Sequence, residues 1–96
     1  MSPLTVVAKI VAKSESVEGV HRELLKILEP SRAEEGCISY NLFQDTENAA
    51  IFVMVENWKS ADHLAEHMKT PHFNALVAAI GGITDTITIN KLAQLD

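Results

Sequence analysis

The only tryptophan of the chain and three of its four histidines fall within one short stretch, at Trp58, His63, His67 and His72. A neutral imidazole titrates near working pH and can take the proton of a phenolic hydroxyl. An indole adds a flat apolar wall and a single N–H donor. Together they suit the deprotonation of an electron-rich ring held away from water. His67 is the expected base, Trp58 the wall and donor, and Tyr40, whose phenol can donate to a substrate oxygen, the assisting group. His63 precedes His67 by four residues and so neighbours it on one side of a helix. His72 opens the following helix, where a hydrogen bond at the helix end is expected. Both are counted among the candidate substrate-binding residues.

Phe52, Met54, Glu56 and Trp58 share one side of a strand, because alternate residues point the same way. Glu56 is thereby a carboxylate on a largely apolar face, which calls for an arginine or backbone N–H partner, or for a raised pKa and a part in proton transfer. His21 lies on an apolar helical stripe. Arg32 is expected either to satisfy the carbonyls that end the first helix or to reach an acidic substrate. With Phe52, Met54 and Glu56, these two complete the binding candidates. His63 and His67 have the helical spacing of two metal ligands, but no carboxylate or thiolate near them in sequence completes a site, and Cys37 lies on another element. No metal is expected. The chain has no glycine-rich phosphate loop, so no nucleotide is indicated, and no cofactor is expected.

Short elements must position these groups. Residues 4–13 are rich in β-branched side chains and read as a strand with apolar character on both faces. From Val17 the period changes, with Val17, Val20, Leu24, Ile27 and Leu28 forming a helical stripe that includes His21. Pro30 should end or kink this helix, although residues 31–35 could carry it a further turn to Gly36, which can close it in the left-handed conformation. Residues 37–44 and 51–58 form an antiparallel hairpin around the polar turn at 45–50. Ser60 caps one short helix, whose buried stripe is expected at Ala61, Leu64, Ala65 and Met68, and Thr70-Pro71 opens another. Gly81-Gly82 stops it, and residues 83–92 form the last strand. The order β-α-β-β-α-α-β is the split βαβ arrangement of a ferredoxin-like α+β fold, an antiparallel sheet with all helices on one face, in a single domain over 1–96.

Ninety-six residues can bury only a modest core. A net charge of −5 has the wrong sign for neutralising phosphates, so neither nucleic acid nor an anionic membrane surface is an expected partner. One cysteine makes no internal disulfide, and the N-terminus carries no secretory pattern, so the chain reads as cytoplasmic. Strand 51–58 is apolar on both faces, Ile51, Val53 and Val55 opposing Phe52, Met54 and Trp58, yet helices can cover only one. A second copy of the sheet packed through a two-fold axis would cover the other, which predicts an obligate homodimer.

The segments "EEGCISYNLFQD" and "VENWKSADHLAEHMKTPHF", in this order and spacing, resemble the antibiotic biosynthesis monooxygenase family of small dimeric α+β barrel proteins over nearly the whole chain. The resemblance implies a ferredoxin-like subunit, a dimer of facing sheets and an apolar pocket between sheet and helices. It also implies oxidation of phenols, quinols or polyketide rings with O2 and without flavin, haem or metal. His67, and His72 within "H-x-x-T-P-H-F", match histidines of the family pattern. Two departures stand out. Met54 occupies the place where one antibiotic-pathway branch carries a polar amide. The first strand lacks the asparagine that the haem-degrading relatives pair with tryptophan and histidine, so haem degradation is a weak reading.

The expected function is cofactor-independent oxidation of a small aromatic or quinol by O2. Two other classes fit the same residues: a dimeric module that binds a small hydrophobic molecule without turnover, and an isomerase or signal-processing enzyme of the quorum-signal-degrading type. The latter would use His21, Arg32 and the helix histidines on a polar, phosphorylated compound.

Overall fold

A computed structural model describes residues 3–96. Strand β1 (Leu4–Ala12) turns Val6, Ala8, Ile10 and Ala12 to one buried face. A single turn at Ser14–Ser16 leads into helix α1 (Val17–Lys26), which buries Val20 and Leu24. The helix breaks at Ile27 and restarts as α2 (Leu28–Arg32). Pro30 is the cause: it has no N–H to offer the carbonyl one turn back, and it sits in the first turn of α2, where none is required. Gly36 departs from expectation, since no described glycine has a positive φ. Space is what it supplies: a Cβ there would run into the ring of His63.

Strands β2 (Cys37–Gln44) and β3 (Ile51–Trp58) pair antiparallel, with Tyr40 opposite Glu56 and Leu42 opposite Met54. The turn between them is built on Asp45, whose Oδ1 accepts from the backbone N–H groups of Glu47 (2.7 Å) and Asn48 (3.0 Å). Helices α3 (Ala61–His67) and α4 (Pro71–Ile80) follow. Ser60 Oγ accepts from the His63 N–H, and Thr70 Oγ1 from the Phe73 N–H, which satisfies donors that each first turn would otherwise leave bare. Strand β4 (Thr84–Leu92) pairs with β1, giving an all-antiparallel sheet in the order β2-β3-β1-β4. This is the ferredoxin-like order, with β1 and β3 at the centre.

Phe52, Met54, Glu56 and Trp58 face the helices and are buried, whereas Ile51, Val53 and Val55 on the opposite face are only partly buried and no helix lies over them. Asn57 ties that outer face together, accepting from Thr5 Oγ1 at 2.6 Å and donating to Ser39 Oγ at 2.8 Å. Two expectations about the helices are corrected. On α3 the buried pair is Leu64 and His67, while Ala61, Ala65 and Met68 are exposed. On α1, His21 is exposed at the margin of the stripe and stacks on Phe52 at 5.6 Å. Among the described residues no helix is long and apolar enough to cross a membrane.

The Gly36 contact yields a test of packing. Gly36→Ala should lower unfolding free energy in urea by about 1–3 kcal/mol, the usual cost of overpacking. His63→Ala in the same chain should restore part of that loss, because it removes the ring with which the new methyl collides.

Candidate functional site

A cavity of about 290 Å³ lies between the sheet and α1, α3 and α4. Its walls are almost wholly apolar: Val6, Ala8 and Ile10 from β1, Met54 from β3, Leu64 from α3, and Phe73, Leu76 and Ile80 from α4. The exposed side chains of Met68, Val77, Ile87 and Ile89 also line it, and they mark its mouth along β4. Among the described residues four polar ones line it, Tyr40, Glu56, His67 and Lys91.

His67 ends α3 with 1% of its surface exposed. Its ring is caged by aromatic neighbours, with Trp58 4.6 Å, Phe73 5.2 Å and Tyr40 5.5 Å away between ring centres. Its Nδ1 lies 2.6 Å from Oε2 of Glu34, in the loop between α2 and β2, and its buried Nε2 has no partner among the described residues. An ionised carboxylate only accepts, so Nδ1 carries the hydrogen and Nε2 keeps a lone pair. Burial holds the His67 pKa below the ordinary imidazole value, against the opposing pull of Glu34. The arrangement is that of a neutral, oriented base beside an apolar space.

Glu34 serves a second imidazole: His72 Nε2, on the first turn of α4, lies 2.7 Å from the same oxygen. Sequence reasoning missed Glu34, which stands 33 and 38 residues from its two histidines. The only trace of it was its place within the motif "SRAEEGCISY". Glu34, His67 and His72 also bring three possible ligand atoms within 4.8 Å of one another. The histidine pair suggested by helical spacing, His63 with His67, is not the one that converges, because His63 Nδ1 is held 2.8 Å from Ser60 Oγ at the cap of α3.

Trp58 is fully buried and does not line the cavity. It backs His67, and its Nε1 donates to Glu56 Oε1 at 3.0 Å, so its one donor is occupied within the protein. Glu56 has no arginine partner. Burial raises its pKa from 4.5 to about 7, hydrogen bonds from Trp58 and Tyr40 pull it down, and the charge of Glu34 adds a smaller upward push. Tyr40 faces the helices rather than the open side of the sheet, and burial beside Glu56 drives its phenol well above the ordinary range.

The remaining candidates do not converge here. Phe52 is 1% exposed and lies outside the cavity lining. With His21 and Arg32 it borders a separate cleft of about 240 Å³ between α1, α2 and β2. Arg32 does not cap the first helix: its Nε donates to the Tyr40 carbonyl of β2 at 2.9 Å, and its Nη2 to Asn41 Oδ1 at 3.3 Å. The polar cluster of His21, Arg32 and the α3 histidines, which a phosphorylated substrate would need, is therefore not assembled. Met54 and Glu56 do line the cavity, while His63 and His72 do not.

The family model described as "Antibiotic biosynthesis monooxygenase" matches residues 3–79. The chain belongs to this family. Its fold is that of PA3566 from Pseudomonas aeruginosa, with a TM-score of 0.95 and 34% identity, covering 100% of this chain and 97% of that one. Rv0793 from Mycobacterium tuberculosis superposes with a TM-score of 0.94 at 29% identity, over 99% and 97% of the two chains. The Escherichia coli (strain K12) relative named "Probable quinol monooxygenase YgiN" is 32% identical over 97 residues, 91% of each chain.

The buried Glu56 should make the stability of this family member depend on pH. A carboxyl whose folded pKa is raised contributes stability that is complete below the unfolded value and is lost as pH rises through the folded one. Between pH 4.5 and about 7, ionisation of Glu56 should therefore remove about 3 kcal/mol. Glu56→Gln should flatten the unfolding free energy over that window in urea titrations; an unchanged slope would show that Glu56 is not buried as a neutral acid.

Proposed function

We propose that the protein oxidises a small hydroxylated aromatic, of quinol type, with O2 and without flavin, haem or metal, in the cavity between sheet and helices. The observation that carries this reading is the buried, unpartnered Nε2 of His67 on an imidazole whose other nitrogen is held by Glu34. At about 290 Å³ the cavity is near the lower end of ligand pockets, about 300–1,000 Å³, a size for one or two fused rings.

His67 takes the proton of a ring hydroxyl at Nε2, and the ring anion, lacking water to stabilise it, passes electrons to O2. One oxygen atom bonds to a ring carbon as a peroxide, which takes the proton back from His67; that carbon then loses its hydrogen as the O–O bond breaks, and the second oxygen leaves as water. The sum is quinol plus O2 to hydroxyquinone plus water, with all four electrons drawn from the substrate. A neutral Glu56 can donate to the substrate oxygen without placing a negative charge beside the ring anion, and Tyr40, whose phenol hydrogen-bonds to Glu56, assists by holding that acid in place. Met54, Phe73 and their neighbours hold the ring and exclude water. Trp58 acts through others, fixing Glu56 by its N–H and packing behind His67. The match to a relative named as a quinol monooxygenase supports this substrate class.

The uncovered face of the sheet supports a homodimer through Val7, Val11, Ile51, Val53 and Val55, which are only partly buried in the single chain. Two such faces packed together would gain about 25 cal/mol per Å² of apolar area removed from water.

Oxygen-electrode assays with reduced naphthoquinones, corrected for spontaneous oxidation, test the reaction. The parent should exceed that background and His67→Ala should lose about 100-fold or more of the added rate. A base is active above its pKa, and His67 lies below the ordinary value of 6.5. The acid limb of kcat/KM should then fall below pH 6.5, and a limb above it would remove His67 from the role. For assembly, the parent should elute as a dimer in size-exclusion chromatography with light scattering, and Val55→Lys should shift it to monomer; a monomeric parent would refute the sheet-face dimer.

A further inference from the structure

We propose that Glu34, His67 and His72 form a site for a divalent transition metal, zinc or copper(II), and that an ion bound there shuts off the base in the adjoining cavity. The inhibitory half of this rests on the reading of His67 as base; the binding half does not.

Three separate elements deliver the donors: the loop after α2 supplies Glu34, the last turn of α3 His67, and the first turn of α4 His72. Two imidazole nitrogens and a carboxylate oxygen are the donor set that zinc and copper(II) favour, and copper(II) should bind the more tightly. At present the three donors are drawn together by hydrogen bonds, with both imidazoles on one oxygen at 2.6 and 2.7 Å. Donors about 2 Å from a tetrahedral zinc ion stand roughly 3.3 Å apart, so each imidazole must draw back from the Glu34 oxygen by about 0.6 Å while the two nitrogens, now within 4.8 Å of each other, settle to that same spacing. His72 can make that movement, because its side chain is 23% exposed and borders a surface cleft of about 100 Å³, which is also the way in for an ion. Glu23 and Lys26 border the same cleft as an ion pair at 2.9 Å, so the approach to His72 carries no net charge. Glu56, on β3, is the other carboxyl whose charge reaches Glu34.

The consequence for the base follows from proton bookkeeping on one ring. A metal ion on Nδ1 needs the lone pair there, so the hydrogen of neutral His67 moves to Nε2. His72 changes in the opposite sense, its hydrogen passing from Nε2 to Nδ1 at the surface. No net proton is lost from the neutral rings, but His67 now presents a donor where it had presented an acceptor, and it cannot take a substrate proton. Metal in the cluster and base function at Nε2 exclude each other.

Isothermal titration with zinc chloride tests the site without reference to turnover. The parent should bind one ion per chain, and Glu34→Gln and His72→Ala should each weaken binding by at least about tenfold, while His21→Ala should not change it. Copper(II) should quench the single tryptophan, because Trp58 lies 4.6 Å from His67, and His72→Ala should abolish that quenching at the same concentration. Folding of each variant is checked by circular dichroism, and His72, being partly exposed, should tolerate replacement if Glu34 does not. Absence of binding by the parent, or binding indifferent to both Glu34→Gln and His72→Ala, overturns the site. In the oxygen assay, zinc should suppress uptake by the parent and spare whatever rate His72→Ala retains. Zinc bound at the cluster with undiminished uptake overturns the inhibition. A parent that consumes no oxygen defeats the oxygenase reading, and the titrations still decide the site.

Discussion

One carboxylate oxygen ties together the polar groups behind the cavity. Glu34 Oε2 holds Nδ1 of the buried His67 and Nε2 of His72, and the short loop that carries it joins α2 to β2. An imidazole buried among Trp58, Tyr40 and Phe73 would otherwise have two unsatisfied nitrogens in an apolar setting, at a cost of about 1–3 kcal/mol each. The carboxylate satisfies one and fixes the ring, which leaves the second without a partner among the described residues. The hydrogen bond thus makes the burial tolerable and decides which nitrogen is available.

The fold serves that arrangement through its layers. Because strands alternate, the inner face of β3 can carry Met54, Glu56 and Trp58 in sequence, so an acid and an indole stand together beneath the helices. Trp58 works from behind, by packing and by its bond to Glu56, so the indole shapes the cavity without bordering it. Among the described residues no cation stands beside Glu56, and burial rather than a neighbouring charge dominates its behaviour. Burial favours the uncharged form of both the Glu56 carboxyl and the His67 imidazole within one apolar enclosure.

The outer face shows the other side of the same economy of size. A chain this short builds one sheet with helices on one side, and its central strands remain apolar on both. The proposed dimer would cover that surface, while the cavity, on the helix side, is built within each subunit.

Much was legible from residue types and spacing. Period-two and period-three-to-four patterns located the strands and helices, since burial of one face imposes those repeats on any chain. The caps at Ser60 and Thr70 and the break caused by Pro30 are local effects of hydroxyl geometry and a missing N–H, and local effects can be read along the chain. His67 was singled out by position, although the stripe drawn around it placed Ala65 and Met68 inside where the structure leaves them exposed. What only the tertiary structure decided was pairing at a distance: that Glu34 meets His67 and His72, that Trp58 spends its donor on Glu56, that His63 belongs to a cap, and that His21 and Arg32 stand at a different cleft. These depend on where a loop, two helices and a strand come to rest against one another. Spacing along a chain constrains neighbours within one element, and carries no record of which side chain on another element will supply the missing hydrogen bond.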